Sequence, residues 1–115
     1  MLRNRAGLGA VVGVLACLCA GACGRSAQTY LDTGNKYFQS GKYEDASLNY
    51  RNAIQKQPRF GEAYYRLGLA EIEQKQAQEA LQTLQQAAAM LPDRSDVEVT
   101  RADLTLAIYQ ADPQN

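Results

Sequence analysis

The sequence predicts an all-α solenoid made of two complete helix-turn-helix units, residues 27–60 and 61–94, followed by one further helix that begins a third unit or caps the second. The first observation is internal repetition, because one pattern recurs at a spacing of 34 residues, the period of a stacked helical hairpin. The paired positions are Tyr30 and Tyr64, Gly34 and Gly68, Ala46 and Ala80, Tyr50 and Leu84, Ala53 and Ala87, and Pro58 and Pro92. Each proline closes a second helix, since a helix rarely continues through the residue before proline.

Small residues and apolar stripes are the other two observations. Gly34 and Ala46, and then Gly68 and Ala80, lie where the two helices of a unit must cross closely. Large apolar residues recur at steps of three and four, which gives each helix one apolar face. They are Tyr30, Tyr37, Tyr50 and Ile54, then Tyr64, Leu67, Leu81 and Leu84. One hairpin cannot cover both faces, so each unit must pack on the next.

This pattern resembles the tetratricopeptide repeat family, from about residue 27 to 112. The family's positions are matched by Tyr30, Gly34, Tyr37, Ala46, Tyr50, Ala53 and Pro58, and again by Tyr64, Leu67, Gly68, Ala80, Leu84, Ala87 and Pro92. Thr33 and Glu71 depart from it, and Lys75 stands at the turn position that Gly41 holds in the first unit. Because a left-handed turn strains a residue that has a Cβ, we expect the second turn to be looser or differently closed.

Residues 95–112 are predicted to form a partial third repeat or a capping helix. Ser95 and Glu98 have the spacing of a capping box, in which each side chain accepts from a backbone amide. Two apolar stripes follow, one of Val97, Leu104 and Ile108 and one of Ala102, Leu106 and Tyr109. Three interpretations stay open: the chain is truncated, the helix is a complete cap, or the chain self-associates through residues 95–111.

The N-terminus predicts export. Residues 1–5 carry two arginines and no acid, and residues 6–22 are apolar or small, as in a secretory signal peptide. The small residues before Cys23 resemble a bacterial lipobox, which implies cleavage after residue 22 and a lipidated tether over residues 23–28. Cys17 also fits the pattern, although few apolar residues precede it. A retained anchor of about 17 residues, near the lower limit for a membrane span, is the other interpretation.

A lipidated Cys23 would anchor the repeats close to a membrane, because two or more acyl chains bind a bilayer stably. The short tether would keep them near its surface. By resemblance to lipoproteins of bacteria with two membranes, Gly24 after the cysteine implies the outer membrane, with the repeats facing the periplasm. The expected location is therefore the bacterial cell envelope.

Composition argues against an enzyme. The chain has no histidine, which removes the commonest general base and metal ligand. Its three cysteines all lie within residues 17–23, so they offer neither a disulfide framework nor a zinc site. No glycine-rich loop could hold a phosphate, and from Cys23 onward the chain is about two charges negative, with no basic stripe for nucleic acid or anionic lipid. We expect no cofactor, no metal and no nucleic acid.

The resemblance implies a concave groove that binds a protein or peptide. The first helix of each unit would line it, with Leu31, Asn35 and Phe38 from the first unit and Tyr65, Leu69 and Ile72 from the second, an apolar and aromatic lining suited to hydrophobic anchors. The family's carboxylate clamp for chaperone tails needs a lysine where Leu31 stands, so we expect no preference for acidic C-terminal peptides.

Three functions fit this reading. The chain could be a lipid-anchored adaptor of an envelope machine. It could also be the N-terminal part of a longer array, similar to the repeat lipoproteins of exopolysaccharide and PEP-CTERM surface-protein systems. The third function is regulation of an envelope enzyme.

Overall fold

The computed structural model describes residues 24–114, and within them it consists of five helices with no strand. The helices are α1 (Ala27–Gln39), α2 (Tyr43–Lys56), α3 (Gly61–Glu73), α4 (Ala77–Met90) and α5 (Ser95–Ala111). Helices that are neighbours in the chain pack on each other, most extensively within the pairs α1–α2 and α3–α4, and α1 also touches α3. This is the all-α solenoid that the 34-residue repetition predicts.

The two hairpins close on their small residues as expected. A Cβ built on Gly34 would lie 2.6 Å from Tyr50 Cε1, and one built on Gly68 would lie 2.8 Å from Leu84 Cδ2. Tyr50 and Leu84 are both fully buried. The glycines therefore let a large side chain of the second helix lie directly against the backbone of the first.

The interface between the hairpins is built from small residues on α3. Ala63 and Ala70 have no exposed surface, and they pack in one cluster with Ala46, Tyr50 and Ala53 of α2. Burial of these faces supplies the apolar contact that neither hairpin can make by itself.

The second turn is not looser than the first, contrary to the expectation from Lys75. Lys75 adopts a φ of 63°, and Gly41 adopts a φ of 73°. The Gln76 amide donates to the Glu71 carbonyl at 2.9 Å, as the Lys42 amide does to the Tyr37 carbonyl. Lys75 thus accepts the left-handed conformation, and the second hairpin closes like the first.

The side chain of Gln74 helps to hold that second turn. Its Nε2 donates to Ser47 Oγ at 2.7 Å and to the Ala70 carbonyl at 3.0 Å. Because Ser47 is buried on α2, the turn after α3 is fastened to the preceding unit.

The predicted capping box at the start of α5 is also wrong. Arg94 is the N-cap residue and Ser95 is already helical, so its hydroxyl is not the cap. Glu98 accepts from Arg101 Nη2 at 2.7 Å instead of reaching back to the helix start. Val97 and Leu104 of α5 are buried against the second hairpin, as the first apolar stripe predicts.

Candidate functional site

The positions expected to line the groove recur once in every unit, so α5 carries residues equivalent to those of α1 and α3. One set is Leu31, Tyr65 and Val99, and another is Phe38, Ile72 and Leu106, each spaced by 34 residues. In both sets the residue on α5 is the most exposed. Leu31 is 4 % exposed and Tyr65 is half-buried, whereas Val99 is 58 % exposed. Phe38 and Ile72 are half-buried, whereas Leu106 is 54 % exposed.

Leu31 does not line an open groove, which corrects the assignment made from the sequence. It belongs to the buried cluster that contains Ala63 and Leu67 of α3. The direct contact between α1 and α3 shows that the following unit covers this position. Sequence spacing does not reveal the degree to which the next unit covers Leu31.

Asn35 and Phe38 are engaged inside the first hairpin. Asn35 Oδ1 accepts a hydrogen bond from the Tyr50 hydroxyl at 2.8 Å, so one of its polar atoms serves the contact between α1 and α2. The Phe38 ring packs edge-on against Tyr43, with 5.1 Å between ring centroids. Both side chains are half-buried.

Tyr65, Leu69 and Ile72 lie on α3 and are half-buried. The Tyr65 hydroxyl is 3.5 Å from Thr100 Oγ1, and the Arg94 guanidinium lies 5.6 Å from the centre of the Tyr65 ring. These contacts place the start of α5 beside α3. Val99 and Leu106 are exposed on α5, at the repeat positions that Tyr65 and Ile72 hold on α3.

Arg94 fixes the relative position of α3 and α5. Its Nη1 donates to Glu62 Oε2 at 2.8 Å, and its Nη2 donates to Asp96 Oδ2 at 2.8 Å. The other Glu62 oxygen accepts from Arg66 Nε at 3.0 Å. The hydrogen bond from Arg94 lowers the pKa of Asp96, and its two carboxylate partners raise the pKa of Arg94.

Sequence reasoning missed this role of Arg94. The available signal was an arginine immediately before a helix and two residues ahead of an aspartate. The capping-box interpretation of Ser95 and Glu98 gave Arg94 no role.

Glu71 is an acid in the core, at 3 % exposure. Its Oε1 accepts from Arg51 Nη2 at 3.4 Å, a long contact whose arginine is 55 % exposed. Oε2 is buried without a hydrogen-bond partner of good geometry among the described residues. Burial raises the pKa of Glu71 above its ordinary value. The nearby Thr83 hydroxyl and Arg51 lower this pKa, but by less than burial raises it.

An open cavity of about 670 Å³ lies between the start of α4 and the end of α5. Its lining includes Ala77, Leu104, Ile108, Ala111 and Pro113. The equivalent space between α2 and α3 lies beside Gln74, at the turn that joins α3 to α4. Here α5 continues through that position to Ala111.

Cys23 and the predicted signal peptide lie outside the described residues. Within residues 24–114, no helix is both long enough and apolar enough to span a bilayer. The same residues contain no group of three or more acidic, cysteine or histidine side chains arranged to hold a metal ion.

Comparison with known proteins identifies the family of the repeats. A family model described as tetratricopeptide repeat matches residues 31–95. No curated protein sequence matches the chain. Among solved structures, one similar chain is the first TPR of Spaghetti (RPAP3) bound to the HSP90 peptide SRMEEVD. The similarity has a TM-score of 0.43 at 18 % identity, over 73 % of this chain and 96 % of that one.

Proposed function

Because the chain belongs to the tetratricopeptide repeat family, we propose that it is a protein-interaction scaffold that binds an apolar segment of a partner. The binding surface is the α3–α5 face, which we define as Tyr65, Leu69, Ile72, Val99 and Leu106. The observation that carries the proposal is the exposure of Val99 and Leu106, at 58 % and 54 %. Exposed apolar side chains beside half-buried ones form a surface on which a peptide can insert hydrophobic anchors.

The chemistry of this face favours an apolar peptide over an acidic tail. Arg94, the cation beside Tyr65, is already paired with Glu62 and Asp96, and Arg66 is paired with Glu62 as well. Leu31 occupies the position at which the family's carboxylate clamp has lysine, and it is buried. The peptide SRMEEVD should therefore not bind to this chain.

Peptide selection tests the proposal. The purified full-length chain is used to select binders from a displayed peptide library, and their affinities are measured by calorimetry. Leu106→Asp and Val99→Asp should each weaken binding by about tenfold or more, since each charge would oppose a desolvated apolar contact. Leu48→Asp is the matched control, because Leu48 is 58 % exposed on α2, outside this face. Binders that depend on Leu48 and ignore Val99 and Leu106 would overturn the proposal.

Export and lipidation give the scaffold its proposed location. We propose that residues 1–22 are removed and that lipidated Cys23 holds the repeats at a bacterial envelope membrane, facing the periplasm where the host has two membranes. The support is the sequence pattern before Cys23. Mass spectrometry of the protein extracted from host membranes tests this, and an unmodified N-terminus at Met1 would contradict it.

A longer repeat array is the second candidate, and one observation favours it. Ala102 is exposed although it occupies the position of Gly34 and Gly68, which α2 and α4 cover. A further helix could pack there. The same mass measurement tests this candidate, because a longer array would have a larger mass than a chain that ends at Asn115.

A further inference from the structure

Charge is divided unevenly along the solenoid, although the whole chain is neutral. Residues 24–60 carry six Lys and Arg against three Asp and Glu, a net charge of +3. Residues 61–114 carry four against nine, a net charge of −5. The net charge of the whole chain does not show this difference. The first hairpin is basic and the rest of the solenoid is acidic.

Three exposed cations gather at the end of the first hairpin where the chain enters α1. They are Arg25, Lys56 and Arg59, here called the basic corner. Lys56 Nζ lies beside the backbone of Gly24, because a Cβ built on Gly24 would be 3.2 Å from it. Arg25 follows Gly24 directly, and Arg59 lies in the loop after α2, whose last residue is Lys56.

No acidic side chain balances the basic corner locally. Residues 24–31 and 46–61 contain no Asp or Glu. Within residues 24–114, none of the three cations takes part in an ion pair, whereas Arg51, Arg66, Arg94 and Arg101 all do. The corner therefore has a positive potential that is available to a partner outside the chain.

We infer that the basic corner binds anionic phospholipid headgroups and orients the solenoid with its α3–α5 face away from the membrane. This inference rests on the proposed attachment at Cys23. Only three residues separate Cys23 from α1, a span of about 10 Å, which is close to the Debye length of about 8 Å in physiological salt. Headgroups around the lipid anchor would lie within reach of all three cations.

The acidic remainder of the solenoid acts in the same direction. Its net charge of −5 is repelled by an anionic surface, while the basic corner is attracted. Three cations are too few to recruit a protein to a membrane by themselves, but they can orient one that an acyl anchor already holds. Orientation, and not recruitment, is the property to measure.

Lysine labelling on vesicles tests the inference. The mature protein with lipidated Cys23, purified from host membranes, is reconstituted into vesicles of phosphatidylcholine alone or with about one third phosphatidylglycerol, and lysine acetylation is quantified by mass spectrometry. Labelling of Lys56 should fall by about fivefold on the anionic vesicles, the factor that corresponds to roughly 1 kcal/mol per cation near such a surface. Lys42 and Lys75, in the turns at the opposite edge, should be labelled equally on both. About 1 M NaCl should abolish the protection, because it shortens the Debye length to about 3 Å.

Matched variants separate the corner from total charge. Arg25→Gln with Arg59→Gln should restore Lys56 labelling on anionic vesicles. Lys36→Gln with Lys42→Gln removes the same charge from the opposite edge and should leave the protection intact. Equal labelling of Lys56 on both vesicle types would overturn the inference.

Other binding partners give distinct results. Protection of Lys56 without vesicles that grows with protein concentration would assign the corner to the acidic end of a second copy and overturn the inference. If millimolar glycerol phosphate abolished the protection of Lys56, the corner would bind a small phosphate ligand and not a bilayer surface. That result would overturn the inference. A chain that does not float with neutral vesicles would refute the proposed attachment, whereas a chain that floats with both and shows no protection refutes only the orientation.

Discussion

The Tyr50 hydroxyl donates a hydrogen bond to Asn35 Oδ1 at 2.8 Å, inside the first hairpin. The Tyr50 ring is fully buried against Gly34, so this hydroxyl joins α1 to α2 at the closest point of their crossing. Burial raises the pKa of Tyr50 to about 12. Asn35 therefore contributes to the packing of the hairpin as well as to its surface.

Tyr50→Phe should lower the free energy of unfolding by about 1 kcal/mol, the usual net value of one hydrogen bond. The ring stays in place, and the half-buried Asn35 can recover part of the loss from water. Urea denaturation followed by circular dichroism measures the change. Tyr30→Phe is the control, because Tyr30 is half-buried and its hydroxyl has no hydrogen-bond partner among the described residues. Equal effects of the two substitutions would contradict the assigned role of the hydrogen bond.

Gly34→Ala should destabilise the chain by about 1–3 kcal/mol, and by more than Gly68→Ala. The new Cβ at residue 34 meets a rigid ring whose hydroxyl is held by Asn35, whereas Leu84 can change its χ angles to accommodate a Cβ at residue 68. Thermal unfolding of the two variants gives the order. Ala102, which already has a Cβ at the equivalent position of α5, is exposed and meets no such constraint. The reverse order would mean that the first hairpin relaxes more easily than its packing indicates.

Lys75→Gly should stabilise the chain by about 1 kcal/mol, because it removes the cost of a left-handed conformation from a residue with a Cβ. The backbone bonds of the turn and the Gln74 side-chain contacts do not involve the lysine side chain. Gly41→Ala is the matched opposite change in the first turn, at a φ of 73°, and should destabilise by a similar amount. A loss of stability in Lys75→Gly, measured by denaturant midpoint, would show that the lysine side chain itself supports the turn.

Glu71→Gln should raise the melting temperature at pH 7 and flatten its dependence on pH. Burial raises the pKa of Glu71 above the ordinary 4.5, so the folded chain binds this proton more tightly than the unfolded chain does. Stability from the protonated acid is thus present below pH 4.5 and is lost as the pH rises through the raised pKa.

Glu73→Gln is the control for that change, since it removes the same charge from an exposed residue of the same helix. Calorimetry between pH 4 and 8 distinguishes the two variants. A lower melting temperature of Glu71→Gln at neutral pH would mean that the pairing with Arg51 outweighs the cost of burial.

The 34-residue repetition made the fold predictable from the sequence. The contacts between repeat units could not be predicted in this way. Gly34 and Gly68 identify the two hairpins, because helices that cross closely leave no room for a side chain at the crossing. Each unit has one such crossing. Leu31 was misjudged because its burial depends on α3, which no local pattern reveals. The start of α5 was misjudged because Arg94 reaches Glu62, 32 residues earlier, and the long-range ion pair replaced the local capping box.

The turn at Lys75 was misjudged for a different reason. A local conformational cost of about 1 kcal/mol is smaller than the gain from closing the hairpin in the standard way, so the backbone accepts it. The groove assignments for Leu69 and Ile72 stay predictions, because only a bound partner can test them.

Rising exposure from Leu31 through Tyr65 to Val99 has an evolutionary consequence. A duplication that placed another unit after α5 would cover Val99 as α3 covers Leu31, and it would expose the equivalent residue of the new unit instead. Gain or loss of one unit would then exchange one recognition surface for another without a single substitution in the older units. In a chain of this kind, repeat number and binding specificity are inherited together.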